Sequence, residues 1–201
     1  LATDRLYYYL NAKSGKVDYD VLDVESVTNS DKSNARMNLL NFDLTLLGVS
    51  KVQVSDSQSV SIIPKDRQIV MKANRDFDFS GKLNSGRFEY FGKNFSFGYD
   101  EFKIEMSFID SMRLKVPGKE KDAFGNDVLV PVKTVIQYLS GNLLIDNPNN
   151  KSGLKDYNEY PIFNSLRDSY VFYDKPSIQN GVYKKDNFYF HLEPFSVDSL
   201  N

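Results

Sequence analysis

Cysteine and tryptophan are absent from the 201-residue sequence, and histidine occurs once, as His191. The absence of cysteine excludes disulfide bonds, thiolate metal sites and cysteine nucleophiles. A single histidine cannot form a histidine metal cluster, and no G-x-S-x-G segment supplies the serine of a Ser-His-Asp site. Alternation places His191 opposite Phe190 and Leu192, which predicts a surface position on a strand without a catalytic role.

Motifs for phosphate, dinucleotide and calcium binding are also missing. The sequence has no P-loop and no G-x-G-x-x-G, and its oxygen-rich segments 122–127 and 146–150 lack the spacing of a calcium loop, so we interpret them as turns. We predict no catalytic residue, no metal site and no cofactor. Two local carboxylate pairs lie away from the apolar faces of their strands, as solubility alone requires: Asp18 with Asp20, and Asp76 with Asp78.

The sequence also has no large excess of charge of one sign and no long apolar run. The formal charge is −2, from 25 basic and 27 acidic side chains, so we predict that nucleic acid is not a partner. No apolar run approaches the roughly 18 residues that span a bilayer, which predicts no transmembrane segment. The chain begins with Leu1 rather than methionine, and we therefore expect it to be a piece of a longer protein.

Aromatic residues are abundant, with 15 Phe and 13 Tyr. Between residues 76 and 116 they alternate with polar residues at a period of two, which predicts a succession of short β-strands. The breaks at residues 84–86, 92–94 and 99–101 contain asparagine, glycine, serine or aspartate, which favour turns. The members of this series that alternation places on one face are Phe77, Phe79, Leu83, Phe88, Tyr90, Phe95, Phe97, Phe102, Ile104, Met106 and Phe108.

The flanking regions are predicted in the same way. Residues 26–34 are polar and indicate an exposed loop, whereas alternation from Leu40 to Leu46 favours a strand over a helix. Residues 117–127 predict a polar hairpin-like loop, followed by a strand that Pro131 confines to an edge or a bulge. The polar stretch 146–161 divides a β-meander domain, 1–145, from a continuation, 146–201, that we expect on the same sheet system.

These patterns predict an all-β fold, an antiparallel meander that forms a sandwich or an elongated curled sheet. A parallel β-solenoid remains the alternative, because both have short strands joined by short turns. The two antiparallel arrangements differ in function. An open apolar groove would carry lipid, whereas a filled interior indicates a scaffold or adhesion role.

Two segments place rings on both faces of a strand, which occurs in a sandwich interior, at a protein interface or along a ligand groove. We take their rings as the candidate binding residues. They are Tyr90, Phe91, Tyr170, Phe172 and Tyr173.

Residues 59–97, 139–153 and 173–190 resemble parts of the very long, uncharacterised β-rich proteins of gliding and gut-dwelling Bacteroidota-type bacteria. The resemblance implies a repetitive β-scaffold in the cell envelope: periplasmic, outer membrane-associated or extracellular. A loose internal repeat relates residues 86–112 to 181–200.

The function predicted first is a non-catalytic structural or interaction module of a larger envelope or surface protein. Its partners would be other protein chains or the remaining domains of that protein. A glycan- or lipid-binding β-module is the second hypothesis, and a glycoside hydrolase is the third.

Overall fold

The structure is a computed structural model that describes residues 12–18, 21–26, 29–132 and 134–199, with side chains from residue 35 onward except that of Lys133. Within these residues it contains sixteen strands and three 3-10 turns and no α-helix. The turns are Lys65–Arg67, Pro148–Asn150 and Gln179–Gly181. The strands are β1 (Ala12–Asp18), β2 (Val21–Ser26), β3 (Asn29–Asn38), β4 (Leu44–Leu47), β5 (Val52–Ser55), β6 (Val60–Pro64), β7 (Gln68–Met71), β8 (Phe77–Ser85), β9 (Phe88–Gly98), β10 (Lys103–Lys121), β11 (Asp127–Pro131), β12 (Ile136–Leu144), β13 (Ile162–Ser165), β14 (Ser169–Phe172), β15 (Tyr189–Leu192) and β16 (Ser196–Val197).

The strands form one antiparallel sheet that follows the order of the chain. Its central path is β1-β2-β3-β4-β7-β8-β9-β10-β12-β13-β16, and each pairing between the described strands is antiparallel. The predicted all-β antiparallel meander is therefore confirmed. A parallel solenoid does not describe this part of the chain, because it would pair its strands in parallel.

Most strands of the sheet are interrupted near their middle. β6 and β7 are two halves of one strand, separated by the turn at Lys65–Arg67, and both pair with β8. On the other side, β13 and β14 both pair with β12 in the same manner. Between them, the register shifts after Phe79 in β8 and near Ile109 in β10. These breaks form a continuous line across the sheet, which we call the crease.

Glycine is required at the crease because backbones approach closely there. Gly81 has φ +140°, and a Cβ at this position would lie 2.5 Å from both the carbonyl oxygen of Ile63 and the amide nitrogen of Lys65. At Gly92 a Cβ would collide with the carbonyl oxygen of Phe108 and with the ring of Phe95. A larger residue at either position would push neighbouring strands apart.

The sheet curls strongly enough for its two halves to enclose one core. The rings of Tyr90 in β9 and Phe163 in β13 lie 5.0 Å apart, although β10 and β12 separate these strands in the sheet. In a flat sheet, three strand spacings would hold them roughly 14 Å apart. A single cluster of buried apolar side chains therefore connects both halves.

Nine of the inward-facing residues predicted between positions 77 and 108 are covered by other side chains, with exposed fractions of at most 4%. Phe88 is half-buried. The prediction is wrong for Phe108, which is 42% exposed, because the register shift between Met106 and Ile109 reverses the alternation of β10. The interior of the described sheet is thus filled rather than open. The covered residues are Phe77, Phe79, Leu83, Tyr90, Phe95, Phe97, Phe102, Ile104 and Met106.

Two predictions about the flanking regions are wrong. Residues 26–34 do not form a loop, because β3 begins at Asn29 and pairs with β2. The chain turns after Asn38, so Leu40 and Phe42 are exposed by 73% and 58% and only Leu44 and Leu46 enter the core. Side-chain oxygens of Asn38 and Asn41 each accept a backbone N–H two residues later, which forms the turn.

The chain after the polar stretch continues the same sheet, since β13 and β14 pair with β12 and Phe163 joins the core. Asp146 and Asn150 are buried and hydrogen-bonded to each other at 2.9 Å, which anchors the start of this stretch. The first eleven residues of the predicted 1–145 domain lie outside the described residues.

A hairpin arm, residues 115–131, extends beyond the sheet, as the hairpin prediction for residues 117–127 indicated. It consists of the end of β10 and of β11, and Pro131 is the last residue of the edge strand β11. Phe124 at its tip is 90% exposed. No helix within the described residues has the length and apolar character needed to cross a membrane.

We expect Gly81→Ala to destabilise the protein more than Gly48→Ala, the matched control. Both glycines have positive φ, but a Cβ at Gly48 would meet nothing within 4 Å, so that variant reports backbone strain alone. We expect a loss of about 1–2 kcal/mol for the control and about 2–5 kcal/mol for Gly81→Ala. Urea denaturation measures both, and equal losses would contradict the role of the crease.

Candidate functional site

Among the described residues, the best candidate for a binding site is an aromatic surface on the outer face of β12, β14 and β15. A cleft of about 350 Å³ opens there, which we call the aromatic cleft. Its size is at the lower end of the range typical of small-molecule sites. It is lined by Tyr138, Tyr170, Phe172, Lys185, Asp186 and Tyr189.

Strand alternation places these rings outward. Val171 points into the core, so its neighbours Tyr170 and Phe172 face the opposite side of β14. Their cross-strand partners on β15 are His191 and Tyr189. Four ring side chains therefore form two adjacent pairs on one surface.

Tyr138 completes the cleft from β12. The next residue, Leu139, is buried in the core, while Tyr138 faces outward and is 46% exposed. Tyr138 has φ +65°, a left-handed conformation that is unusual for an aromatic residue. It lies at the crease, so the same irregularity that bends the sheet also directs this ring toward the cleft.

The rings of the cleft have two orientations: some are nearly parallel to one another, and others are nearly perpendicular to these. Tyr170 is nearly parallel to Phe172 and to His191, with centroids 5.9 and 5.3 Å apart. Tyr138 stands edge-on to Tyr170 and Phe172, at interplanar angles of 70° and 80°. Tyr189 is also nearly perpendicular to Tyr170. Such edge-to-face packing holds ring orientations while leaving ring faces accessible.

Lys185 places a positive charge within this cleft. Its Nζ donates a hydrogen bond of 2.8 Å to Tyr138 Oη, and it lies 4.4 Å from the centroid of the Phe172 ring and 5.0 Å from that of Tyr138. The hydrogen bond to Tyr138 raises the pKa of Lys185, and the charges of Asp174 and Asp186 add to the effect, whereas desolvation opposes it.

A second ring cluster supports the loop that carries Lys185. Tyr183 stacks on Phe188 with centroids 4.4 Å apart, and Tyr173 packs against Phe188 edge-on at 5.6 Å. The 3-10 turn at Gln179–Gly181 precedes this cluster. The position of Lys185 therefore depends on packing on both sides of the residue.

The five candidate binding residues separate into four environments. Tyr170 and Phe172 line the aromatic cleft, and Tyr173 lies in the ring cluster beside it. Phe91 is half-buried, with the cations of Lys82 and Arg113 at 5.5 and 5.3 Å from its ring centroid, and it does not line the cleft.

Tyr90 is completely buried in the core against Phe163, where its ring contacts no external ligand. Desolvation raises the pKa of the Tyr90 phenol well above its ordinary value.

Sequence reasoning missed Tyr138, Lys185 and Tyr189. Their separation along the chain gave no common motif, and only the pairing of β12, β14 and β15 brings them together. The alternation of Phe188, Phe190 and Leu192 with other residues is the local signal that predicts a strand there.

His191 has the surface position that its alternation predicted. Its Nε2 lies 2.9 Å from Asp168 Oδ2, and both side chains are exposed. The neighbouring Ser169 is fully buried on the opposite face of its strand, so it does not complete a Ser-His-Asp arrangement. Within the described residues, no three His, Cys, Asp or Glu side chains are grouped in a way that could hold a metal ion.

A buried ion cluster lies on the same outer face, at the base of the hairpin arm. Glu89 in β9 is hydrogen-bonded to Lys82 and lies 3.1 Å from Lys115 Nζ. Burial of Glu89 opposes its ionisation, but the hydrogen bonds from Lys82 and Lys115 outweigh this effect and lower its pKa. The cluster thus connects β8, β9 and the first residue of the arm.

We expect Glu89→Gln to reduce stability at pH 7 by about 1–3 kcal/mol, because it leaves two largely buried lysines without their carboxylate. The lowered folded-state pKa means that this contribution is present above the unfolded value of about 4.3 and is lost as pH falls through the folded value. The difference between wild type and variant should therefore shrink below about pH 4. Glu105→Gln, at an exposed carboxylate, is the control for urea denaturation at both pH values.

A stability difference that is the same at pH 3 and pH 7 would contradict the ionic role of Glu89.

Comparison of the chain with protein-family models, with curated proteins and with solved structures found no match. The interpretation of the aromatic cleft consequently depends on its own geometry.

Proposed function

We propose that this chain is a non-catalytic interaction module of a larger protein and that it binds its partner through the aromatic cleft. The observation that carries the proposal is the outward position of Tyr138, Phe172 and Tyr189 over a core that is already filled. Exposed, rigid aromatic rings around a cleft are typical of binding surfaces, because they contribute large contact areas with little loss of side-chain freedom.

The filled interior favours this proposal over a lipid-carrying groove. Phe77, Phe79, Leu83, Phe95, Phe97 and Phe102 are covered, so the described sheet has no open apolar channel along them. Lipid binding would need such a surface for its acyl chains. The cleft is small and has polar groups at Tyr138, Lys185 and Asp186, which suits a compact polar ligand better.

The contacts of the acidic residues favour a non-catalytic role. Asp76 accepts the backbone N–H of Tyr99 at 2.8 Å, and Asp78 lies 3.3 Å from Lys72 Nζ. Both carboxylates thus have structural partners within the sheet. A glycosidase instead requires two carboxylates that face each other across a cleft, and the aromatic cleft is lined by one acidic residue, Asp186.

The location and the parent protein are proposed from the sequence resemblance alone. The chain would be part of a long β-rich envelope or surface protein, with the remaining domains of that protein or other chains as its neighbours. The hairpin arm supports contact with such neighbours, since five of its apolar residues are at least 36% exposed. These are Val116, Phe124, Val128, Leu129 and Val130.

We expect the double variant Phe172→Ala, Tyr189→Ala to lose at least about tenfold in affinity for ligands of the wild-type chain, because both rings line the cleft. Ligands are identified with a glycan array and by native mass spectrometry, which retains bound small molecules. The double variant Leu40→Ala, Phe42→Ala is the control, since it removes two exposed apolar side chains that do not line the cleft.

Circular dichroism melting verifies that each variant is folded. We expect the fold to be retained, because the variants leave unchanged the buried Val171 that packs β14 against the core. Retention of ligand affinity in the cleft variant, or an equal loss in the control, would overturn the proposed role of the cleft.

A further inference from the structure

The aromatic cleft already holds a cation. The ammonium group of Lys185 lies within cation-π distance of the Phe172 and Tyr138 rings and is hydrogen-bonded to the Tyr138 hydroxyl. Two further rings, Tyr170 and Tyr189, line the same space. The arrangement is an aromatic cage in which a side chain of the protein itself takes the place of a ligand cation.

The electrostatic environment at this point favours positive charge. The phenol oxygen of Tyr138 accepts a hydrogen bond from the ammonium, and the carboxylates of Asp174 and Asp186 lie close enough to raise the pKa of Lys185. Ring faces add negative potential, since an aromatic quadrupole is negative above and below the ring plane. A neutral or anionic group in the same position would lose these interactions.

The primary ammonium of Lys185 is not the cation that such a cage binds best. It is compact and strongly hydrated, and its flexible stem lets it return to water. A quaternary ammonium group has no hydrogen-bond donors and is weakly hydrated, so it gains more from contact with several ring faces. With Lys185 in place, about 350 Å³ of the cleft is still open, which leaves room for a larger cation.

We propose that the aromatic cleft binds a quaternary ammonium group, which displaces the Lys185 ammonium from the face of Phe172 and from the hydroxyl of Tyr138. This inference depends on the proposed function, because it specifies the ligand chemistry of the same cleft. The displaced Lys185 side chain would act as an internal competitor, which lowers affinity and excludes weaker cations. The trimethylammonium group is common to choline compounds and to trimethylated lysine side chains, and the cage geometry applies to both.

The test is a titration of the chain with choline, with phosphocholine and with Nε-trimethyl-lysine, followed by calorimetry and proton NMR. We expect saturable binding of at least one of them and an upfield shift of its N-methyl protons from the ring currents. The relative affinities distinguish the source of the group. The neutral isostere of choline, 3,3-dimethyl-1-butanol, should bind at least about fivefold more weakly, because it lacks the charge.

Three variants separate the cage from general apolar binding. Phe172→Leu should weaken choline binding by at least about fivefold, since it removes a ring face but keeps an apolar side chain. Lys185→Ala should strengthen binding, because it removes the competitor. Phe42→Leu, at an exposed ring in the turn after β3, should have no effect.

Three results would each overturn the inference: no saturable binding of any trimethylammonium probe, equal binding of the neutral isostere, or weaker binding in Lys185→Ala. A sugar ligand that requires Phe172 and Tyr189, with no binding of choline or the other cations, would also overturn it while supporting the proposed function. A ligand whose affinity is independent of both rings would overturn the two proposals together.

Discussion

Close backbone contact along the crease decides how this sheet bends. Where Gly81 lies against the segment from Ile63 to Lys65, and Gly92 against Phe108, neighbouring strands approach too closely for a side chain. The strands break or shift register at these points, so the sheet can curl until Tyr90 meets Phe163. A regular antiparallel sheet would twist gradually instead. The enclosed core, the outward aromatic surface and the position of Tyr138 all depend on this local loss of regular pairing.

The bend also determines which aromatic residues remain for binding. Once the two halves enclose the core, rings such as Phe77, Phe97 and Tyr90 stabilise the fold through apolar burial and ring packing. Phe172 and Tyr189 occupy the other face of their strands, where Phe172 is half-buried beside Lys185 and Tyr189 is 50% exposed. This surface is the one to which we assign the proposed ligand recognition.

Ion pairs reinforce the outer face where apolar burial is not available. Glu89 links Lys82 of β8 to Lys115 at the base of the hairpin arm, so the arm is attached to the sheet by charge as well as by backbone pairing. Across the sheet, Lys72 connects Asp43 with Asp78 and joins the loop after β3 to β8. The Lys72 pairs are more exposed than the Glu89 cluster, and we therefore assign them a smaller part in stability.

Local patterns in the sequence determined most of the central meander and of its inward face, and the exposed position of His191, because period-two alternation and turn residues act over a few neighbours. They wrongly placed a break at residues 92–94, which lie within β9, and wrongly placed Phe108 inward, because the register shift between Met106 and Ile109 depends on the neighbouring strand. They did not reveal that Asn38 and Asn41 form a turn, since side-chain hydrogen bonds to nearby amides competed with the alternation that begins at Leu40. Nor did they distinguish Tyr90 from Tyr170, which occupy similar two-faced aromatic segments. Only the tertiary structure decided that the Tyr90 ring is buried and that the Tyr170 ring lines a cleft with Tyr138 and Lys185. The physical reason is that the side chains covering each face come from strands far apart in the chain.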